Sequence, residues 1–553
     1  MQKCEVIFAR ALNALNSSPN GVGSSTMLRV FQNDLFLPED FITTLELVPG
    51  KDSSGRSVDT VMGIARDSFS DGGLSAVSIT DNPGGNPSLS PDVLGHDIFK
   101  VGMDVIVHFT CRDLNRVGME SRALQLSMMG MKNLLALTGD YTGKGFGGQG
   151  APVFDLDAVN LLMMLDHLSH RFHENGDPDG FFAGCAVSPF KYTEAECFAQ
   201  YAKLCRKISA GARFIITQLG YDARKFAELI TVLKQLEVNL PVFGSIYLLT
   251  PRSARIMNKG MVPGVVVTDK LLTRVLDEWK NPKAGRVKAI ERAAKLGAIL
   301  KGLGYQGMHL GGIHKTFDVA GDVMSHMKAI QDQWQSFLPE FEYPVTNGFY
   351  VFPDDISEKL PANSFGQQTS IPMLEKIHFR LMKSFHNRFF SFESKQARTL
   401  EKVCGWIDHH RIAEGIVTLL ENSAKKILLG CQHCGDCGIQ NLAFLCPESR
   451  CPKHTRNGAC GGSSDGKCEV RTDRNCVWVR TYRRMAYSGT CQNLLSGCVP
   501  PRMWELNQTS SWLNFHLKRD HQSVSTGLEK YCRLEDCQLS FCEHYGKPLN
   551  PKG

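Results

Sequence analysis

Alternating strand-like and helix-like segments over the first 310 residues limit this chain to very few folds. Short apolar runs fall at 41–47, 74–80, 104–110, 133–139, 180–187, 213–219, 241–248 and 306–310. Between them, as at 156–168 and 195–208, apolar residues recur at helical spacing. Strands that alternate with helices pair in parallel, because a parallel neighbour is reached only by a crossover. Eight such units in about 300 residues predict an α/β fold, the (βα)8 TIM barrel. An open doubly wound sheet is the alternative that the same pattern allows.

Beyond residue 320 the pattern changes. Helical stretches at 318–334 and 371–390 flank an irregular segment holding Pro339, Pro344, Pro353 and Pro361, and a further helix is predicted over 411–429. The chain divides into a barrel (1–320), a helical linker (321–425) and a C-terminal domain (426–553). Cysteine sets the last apart: 13 of the 19 lie in 431–553. No stretch approaches the ~18 consecutive apolar residues of a membrane span, and the N-terminus shows no apolar core followed by a cleavage site. Both point to a cytoplasmic protein with no membrane insertion. Thiols stay reduced there, so clustered cysteines read as metal or cluster ligands before disulfides. Residues 427–553 carry 16 Lys and Arg against 11 Asp and Glu, most of the net charge of +6. The excess is mild: a basic face for an acidic protein explains it at least as well as a nucleic-acid surface, and no nucleic-acid partner is expected.

In a barrel the chemistry sits at the C-terminal ends of the strands. The first ends in Leu45-Glu46-Leu47-Val48-Pro49, a carboxylate inside an apolar run. Burial there raises a carboxyl pKa and makes a general acid, although a strand carboxylate paired to a buried cation would look the same. The second ends in Ser78-Ile79-Thr80-Asp81 and the third carries His108-Phe109-Thr110. The fourth ends in Leu137-Thr138-Gly139-Asp140 and the sixth in Ile216-Thr217-Gln218. Each is weak alone: Asp140 could cap a helix, and His108 could be a hydrogen-bonded core residue. Together they set an acid, an amide, an imidazole and several hydroxyls at one mouth. Gly143-Lys144-Gly145-Phe146-Gly147-Gly148 matches G-x-G-x-x-G, but it begins after Asp140 has left its strand, so it reads as a flexible barrel-top loop rather than a dinucleotide fingerprint.

These residues resemble the methylenetetrahydrofolate reductase family of flavin-dependent (βα)8 enzymes. The likeness covers about residues 25–315. It rests on Leu45-Glu46-Leu47-Val48-Pro49, His108-Phe109-Thr110-Cys111, Ala136-Leu137-Thr138-Gly139-Asp140 and Ala210-Gly211-Ala212-Arg213-Phe214-Ile215-Ile216-Thr217-Gln218, in the family's order. The resemblance implies three catalytic residues: Glu46 as the acid that protonates the folate, Asp140 as a carboxylate beside flavin and pterin, and Gln218 as an amide that binds the folate. It implies flavin contacts at Thr80, His108, Thr110, Thr138, Gly139, Asp140 and Lys207, with Arg206 as a phosphate contact. The chain departs from the family pattern at Thr138, Asp81 and Phe154, which leaves FAD and FMN both open. The implied reaction is reduction of 5,10-methylenetetrahydrofolate to 5-methyltetrahydrofolate. Reduced flavin gives a hydride to a methylene carbon presented as an iminium ion, once a carboxylic acid kept protonated by an apolar site has delivered a proton to N10.

The C-terminal spacing is Cys431-x2-Cys434-x2-Cys437-x8-Cys446, then Cys451, Cys460, Cys468 and Cys476. A C-x2-C-x2-C run with a later Cys-Pro fits iron–sulfur ligation, and paired C-x2-C units fit tetrahedral zinc. Eight thiols suffice for two four-thiolate sites of either kind. The segment resembles the cysteine-rich C-terminal domain associated with methylenetetrahydrofolate reductases of anaerobic bacteria, on Cys431-Gln432-His433-Cys434-Gly435-Asp436-Cys437, Gly458-Ala459-Cys460, Gly466-Lys467-Cys468 and Cys476-Val477-Trp478. That likeness implies electron input or partner docking. The donor would be NADH, ferredoxin or a redox subunit, and the chain would sit in a homo-oligomer or a larger redox complex. Cys491 and Cys498 carry no assigned role, and Cys532, Cys537 and Cys542 with His544 could hold a further metal ion. Trp504 and Trp512 are expected in the small domain's core. Two other readings fit the same residues: a folate-dependent methyltransferase barrel with a metal-binding docking domain, and a metal-binding scaffold on a degenerate barrel. The joint presence of Glu46, Asp140 and Gln218 favours the reductase.

Overall fold

The computed structural model describes residues 30–35, 41–177, 179–352, 371–495 and 497–524. Pro353, Pro361, Cys532, Cys537, Cys542 and His544 lie outside the described residues. Eight parallel strands close into a barrel: β1 (Ile42–Leu47), β2 (Ala76–Ile79), β3 (Val105–Thr110), β4 (Asn133–Leu137), β5 (Phe182–Val187), β6 (Phe214–Thr217), β7 (Val242–Tyr247) and β8 (Gly307–Gly311). Each pairs with the next, and β8 returns to β1, so the open doubly wound sheet is excluded. All eight apolar runs are strands to within two residues at each end.

Side chains alternate along a strand, and the inward set changes character with height. At the bottom Ile42, Ala76, Ile106, Leu135, Phe214 and Phe243 form an apolar plug with Phe31 of the short helix Val30–Asp34. The Phe31 ring meets Phe214 edge-on at 5.3 Å. Gly184 leaves room for that layer, since a Cβ there would lie 2.3 Å from the Phe214 ring. Two residues up the same strands stand Thr44, Ser78, His108 and Ser245; two further up stand Glu46, Thr80, Thr110 and Tyr247. The floor is sealed by hydrocarbon and the C-terminal mouth is polar.

The helix expected at 318–334 is interrupted. It runs Asp318–Ile330, passes through the turn Gln331–Gln333 and resumes at Trp334–Phe337. The break turns Trp334 onto Gly302, where a Cβ would lie 2.2 Å from the indole. Helices Met373–Phe389, Lys395–Asp408 and Arg411–Leu429 then lead to the cysteine-rich module. They leave Leu374, Ile412 and Ile427 more than 80% exposed. Within the described residues no helix is long and apolar enough to cross a membrane.

The module sits on the barrel. Its helix Val477–Ser488 lies against the barrel helix Glu194–Ser209, where Tyr482 donates to Glu194 at 2.6 Å and stacks on Phe198 at 5.7 Å. Asp157 caps the helix Ala158–Glu174 by accepting from the Val159 and Asn160 amides. The same carboxylate accepts from the backbone of Arg456 and Asn457 at 3.1 and 2.9 Å. One side chain thus starts a barrel helix and anchors the module.

Candidate active site

Strand register assembles the centre of the mouth. β1 and β8 set Thr44 beside His309, and β1 and β2 set Glu46 beside Ser78. His309 Nδ1 lies 2.8 Å from Thr44 Oγ1; its Nε2 lies 3.4 Å from Ser78 Oγ and 4.0 Å from Glu46 Oε2. The ligand-capable atoms of Glu46, His108 and His309 all fall within 4.8 Å of one another. Glu46 keeps 28% of its side chain open, yet burial pushes its carboxyl up to about 7. Burial acts oppositely on the imidazoles. It pushes His309 down to about 3, with His108 adding to the effect, and His108 down to about 4 against the pull of Asp81. At neutral pH both rings are uncharged, and Glu46 is about half protonated.

The other expected residues divide into engaged and unengaged groups. Thr80 Oγ1 and His108 Nε2 are buried without a hydrogen-bond partner. Thr110 is turned inward on the protein: its hydroxyl and amide donate to Asp81 at 2.9 and 3.1 Å, and Arg122 holds the same carboxylate at 2.9 Å. Asp140 accepts from the Gly84 amide at 3.0 Å. The Gln218 amide donates to the Pro263 carbonyl at 3.0 Å and accepts from the Leu219 amide at 2.9 Å. Thr138 accepts from the Ala158 amide and from Lys203, at 3.4 and 3.5 Å. Gly139, at φ +87°, offers its carbonyl to Lys453 of the module at 2.7 Å.

Arg206 and Lys207 lie under the module. The Arg206 guanidinium sits 5.9 Å from the Trp478 ring, with its Nε unpartnered, and Lys207 donates to the Ala186 carbonyl at 2.6 Å. Burial lowers Arg206 to about 10 and Lys207 to about 8. Neighbouring barrel side chains are satisfied by module backbone: Lys203 donates to Gly458 at 3.2 Å, Gln200 to Ala459 at 3.3 Å, and Lys191 to Ser463.

The eight module cysteines form two groups. Cys451, Cys460, Cys468 and Cys476 line one enclosed cavity of about 20 Å3. Cys437 lies within electrostatic reach of Cys431, Cys434 and Cys446, and Lys425 approaches its sulfur at 3.8 Å. Lys453, two residues after Cys451, is ion-paired with Glu469 and bridges to the end of β4.

Two expectations change. The Gly143–Gly148 stretch is a small hairpin, with Lys144–Gly145 paired to Gly148–Gln149. Trp504 is half exposed rather than core: its indole donates to Asp155 of the barrel at 2.7 Å, and Arg502 covers its ring. Trp512 does line an apolar cavity of about 450 Å3 with Phe385 and Phe390. His309, Thr44 and Lys453 escaped the sequence reading. For His309 the available signal was an imidazole between Met308 and Leu310, on the face shared with Gly307 and Gly311.

A closed parallel barrel, apolar below and carrying a carboxyl–imidazole cluster at its C-terminal mouth, defines a (βα)8 protein of the enzyme-bearing type. The chain belongs to the methylenetetrahydrofolate reductase family. The family model described as "Methylenetetrahydrofolate reductase" matches residues 34–321, and that described as "Methylene-tetrahydrofolate reductase C terminal" matches 411–505. Among curated relatives, "Probable methylenetetrahydrofolate reductase (NADPH)" of Caenorhabditis elegans is 26% identical over 185 residues, 32% of this chain and 26% of that protein. "Methylenetetrahydrofolate reductase 1" of Schizosaccharomyces pombe is 27% identical over 177 residues, 31% and 27% of the two chains. The chain thus spans about a quarter of these relatives' length. A solved structure of an uncharacterized protein from Clostridium thermocellum, described as binding two copies of 5-methyl-5,6,7,8-tetrahydrofolic acid, aligns at TM-score 0.37 and 10% identity over 55% of this chain and 99% of that one.

Proposed function

We propose that this chain reduces 5,10-methylenetetrahydrofolate to 5-methyltetrahydrofolate with a bound flavin, and that electrons reach the barrel through the cysteine-rich module. The observation that carries the reading is the Glu46 carboxyl, held up to about 7 beside a neutral His309 at the mouth of a barrel of this family. The unpartnered Thr80 hydroxyl and His108 Nε2 fit a polar ring system and would hold the flavin there. When bound, the reduced flavin supplies the hydride.

The protein's own groups handle charge and protons. Glu46 gives its proton to N10 of the folate. The bond from N10 to the methylene carbon breaks, its electron pair stays on N10, and the carbon is left as an iminium that accepts hydride. Asp140, fixed by the Gly84 amide, sets a negative charge near that cation. His309, fixed by Thr44, is 4.0 Å from Glu46 and orients the carboxyl while remaining uncharged. In this reading Gln218 meets the substrate with the hydrogen-bonding capacity its two protein contacts leave free.

For the module we propose that its two groups of four cysteines hold metal, as iron–sulfur clusters or as tetrahedral zinc sites. The link Cys451–Pro452–Lys453 to the Gly139 carbonyl supports delivery of electrons beside Asp140. The partners in this reading are the folate and an electron donor: NADH, ferredoxin or a redox subunit.

The test is a visible spectrum of protein purified without oxygen. Flavin bands near ~450 nm should bleach with dithionite and return on addition of methylenetetrahydrofolate. A broad absorbance beneath them that also bleaches is expected of iron–sulfur clusters, whereas zinc is silent. A folded preparation without flavin would move the reading to the methyltransferase barrel.

A further inference from the structure

A second cavity, of about 680 Å3, lies where the module overhangs the barrel mouth. Asp140 and Tyr141 stand on its barrel wall; Arg450, Arg471 and Arg474 stand on its module wall. The charge on the module wall is uneven. Arg471 and Arg474 share a single carboxylate, Asp473, at 3.5 and 3.3 Å. Arg450 has no carboxylate partner among the described residues, and it faces the like charges of Arg480 and Arg474. The nearby acids are committed: Glu375 to Arg480, Glu448 to His454, Arg456 and Arg502, and Glu469 to Lys453. Positive charge is left over along the module wall of this cavity, where Arg471 and Arg474 are about half exposed and open to an anion arriving from solvent.

Guanidinium forks match carboxylates in two-point geometry. The volume is that of a small-molecule pocket, whereas a protein partner would need a broad face of about 800 Å2 per side. Asp140, the carboxylate assigned above to the reacting carbon, lines the same cavity as the three arginines, so a ligand that reacts at Asp140 and carries an anionic tail finds matching charge within that cavity.

We propose that Arg450, Arg471 and Arg474 form a subsite for the glutamate carboxylates of the folate substrate, so that the module as well as the barrel binds substrate. This rests on the folate reading above. It makes the module a determinant of substrate affinity, a role separate from any passage of electrons.

The experiment compares methylenetetrahydrofolate carrying one and three glutamates, with the oxygen-free holoprotein and a small-molecule reductant. The wild type should show a KM about tenfold lower for the triglutamate, as one added charge-assisted contact gives. The variant R450Q/R471Q/R474Q should bring the ratio of the two KM values close to one, the loss falling on KM rather than on kcat. An intact visible spectrum checks that the variant is folded, and the single variant R450Q should give an intermediate ratio. Equal KM values in the wild type, or a ratio that survives the triple substitution, would overturn the subsite. A variant that keeps the ratio but loses turnover only with an acidic donor protein would also overturn it, assigning the arginines to that donor. If the flavin responds to the monoglutamate and the ratio is one, the subsite alone falls; if it responds to no folate, both readings fall.

Discussion

Holding the Glu46 carboxyl at about 7 instead of 4.5 has a cost that grows with pH. The unfolded chain ionises this group above 4.5, while the folded protein keeps the proton until about 7. The penalty is absent in acid, builds between those values and is complete above them. Glu46→Gln removes it. The variant should match the parent near pH 4 and exceed it at pH 8 by up to about 3 kcal/mol, read as a higher Tm. It should also keep its flavin bands and lose folate reduction; normal turnover would remove Glu46 from the mechanism. In the parent, the folate-driven step should slow as pH rises past 7, because the acid form disappears, and stopped-flow spectra would show it. Glu46 was legible as a carboxylate inside an apolar run. His309 was not, because only strand register brings it to Thr44 across 265 residues of sequence. Gly435, at φ +72°, shows the same limit: a Cβ there would fall 1.7 Å from the Leu506 carbonyl oxygen. Gly435→Ala should lower the Tm of the module with little effect on flavin content.

Parallel strands covered on both faces are written as continuous apolar runs, which is why all eight could be read from the sequence. Interrupted elements could not. The break after Ile330 follows from Trp334 seating on Gly302, a contact made by folding and invisible to local periodicity. The hairpin within Gly143–Gly148 is too short to have a pattern. The helix Ala158–Glu174 was legible in outline, but the double duty of its cap was not. Asp157→Ala would strip the cap from that helix and leave the Arg456 and Asn457 amides without an acceptor. The loss should be about 2–4 kcal/mol, with faster proteolysis between barrel and module. A loss under about 1 kcal/mol would mean that water replaces the carboxylate.

Lys453 ties the whole molecule together, since its ammonium meets Glu469 in the module and the Gly139 carbonyl in the barrel. Lys453→Met leaves the Glu469 carboxylate buried without its cation and should cost about 3–5 kcal/mol, seen as a fall in Tm. It should slow reduction by a protein donor more than reduction by dithionite. The sequence displayed barrel and module as separate compositions, but not that one roofs the other, because the contacts use ordinary lysines, glutamines and backbone carbonyls. Those contacts also set a schedule for synthesis. Lys191, Gln200 and Lys203 find their acceptors at Ser463, Ala459 and Gly458, at least 255 residues later. At ~5–20 residues per second the ribosome delivers that stretch on the order of 10 to 50 seconds after the barrel residues have emerged. Throughout that interval the nascent barrel holds hydrogen-bond donors that its own chain has yet to answer. Until the roof arrives, water must stand in for those module carbonyls.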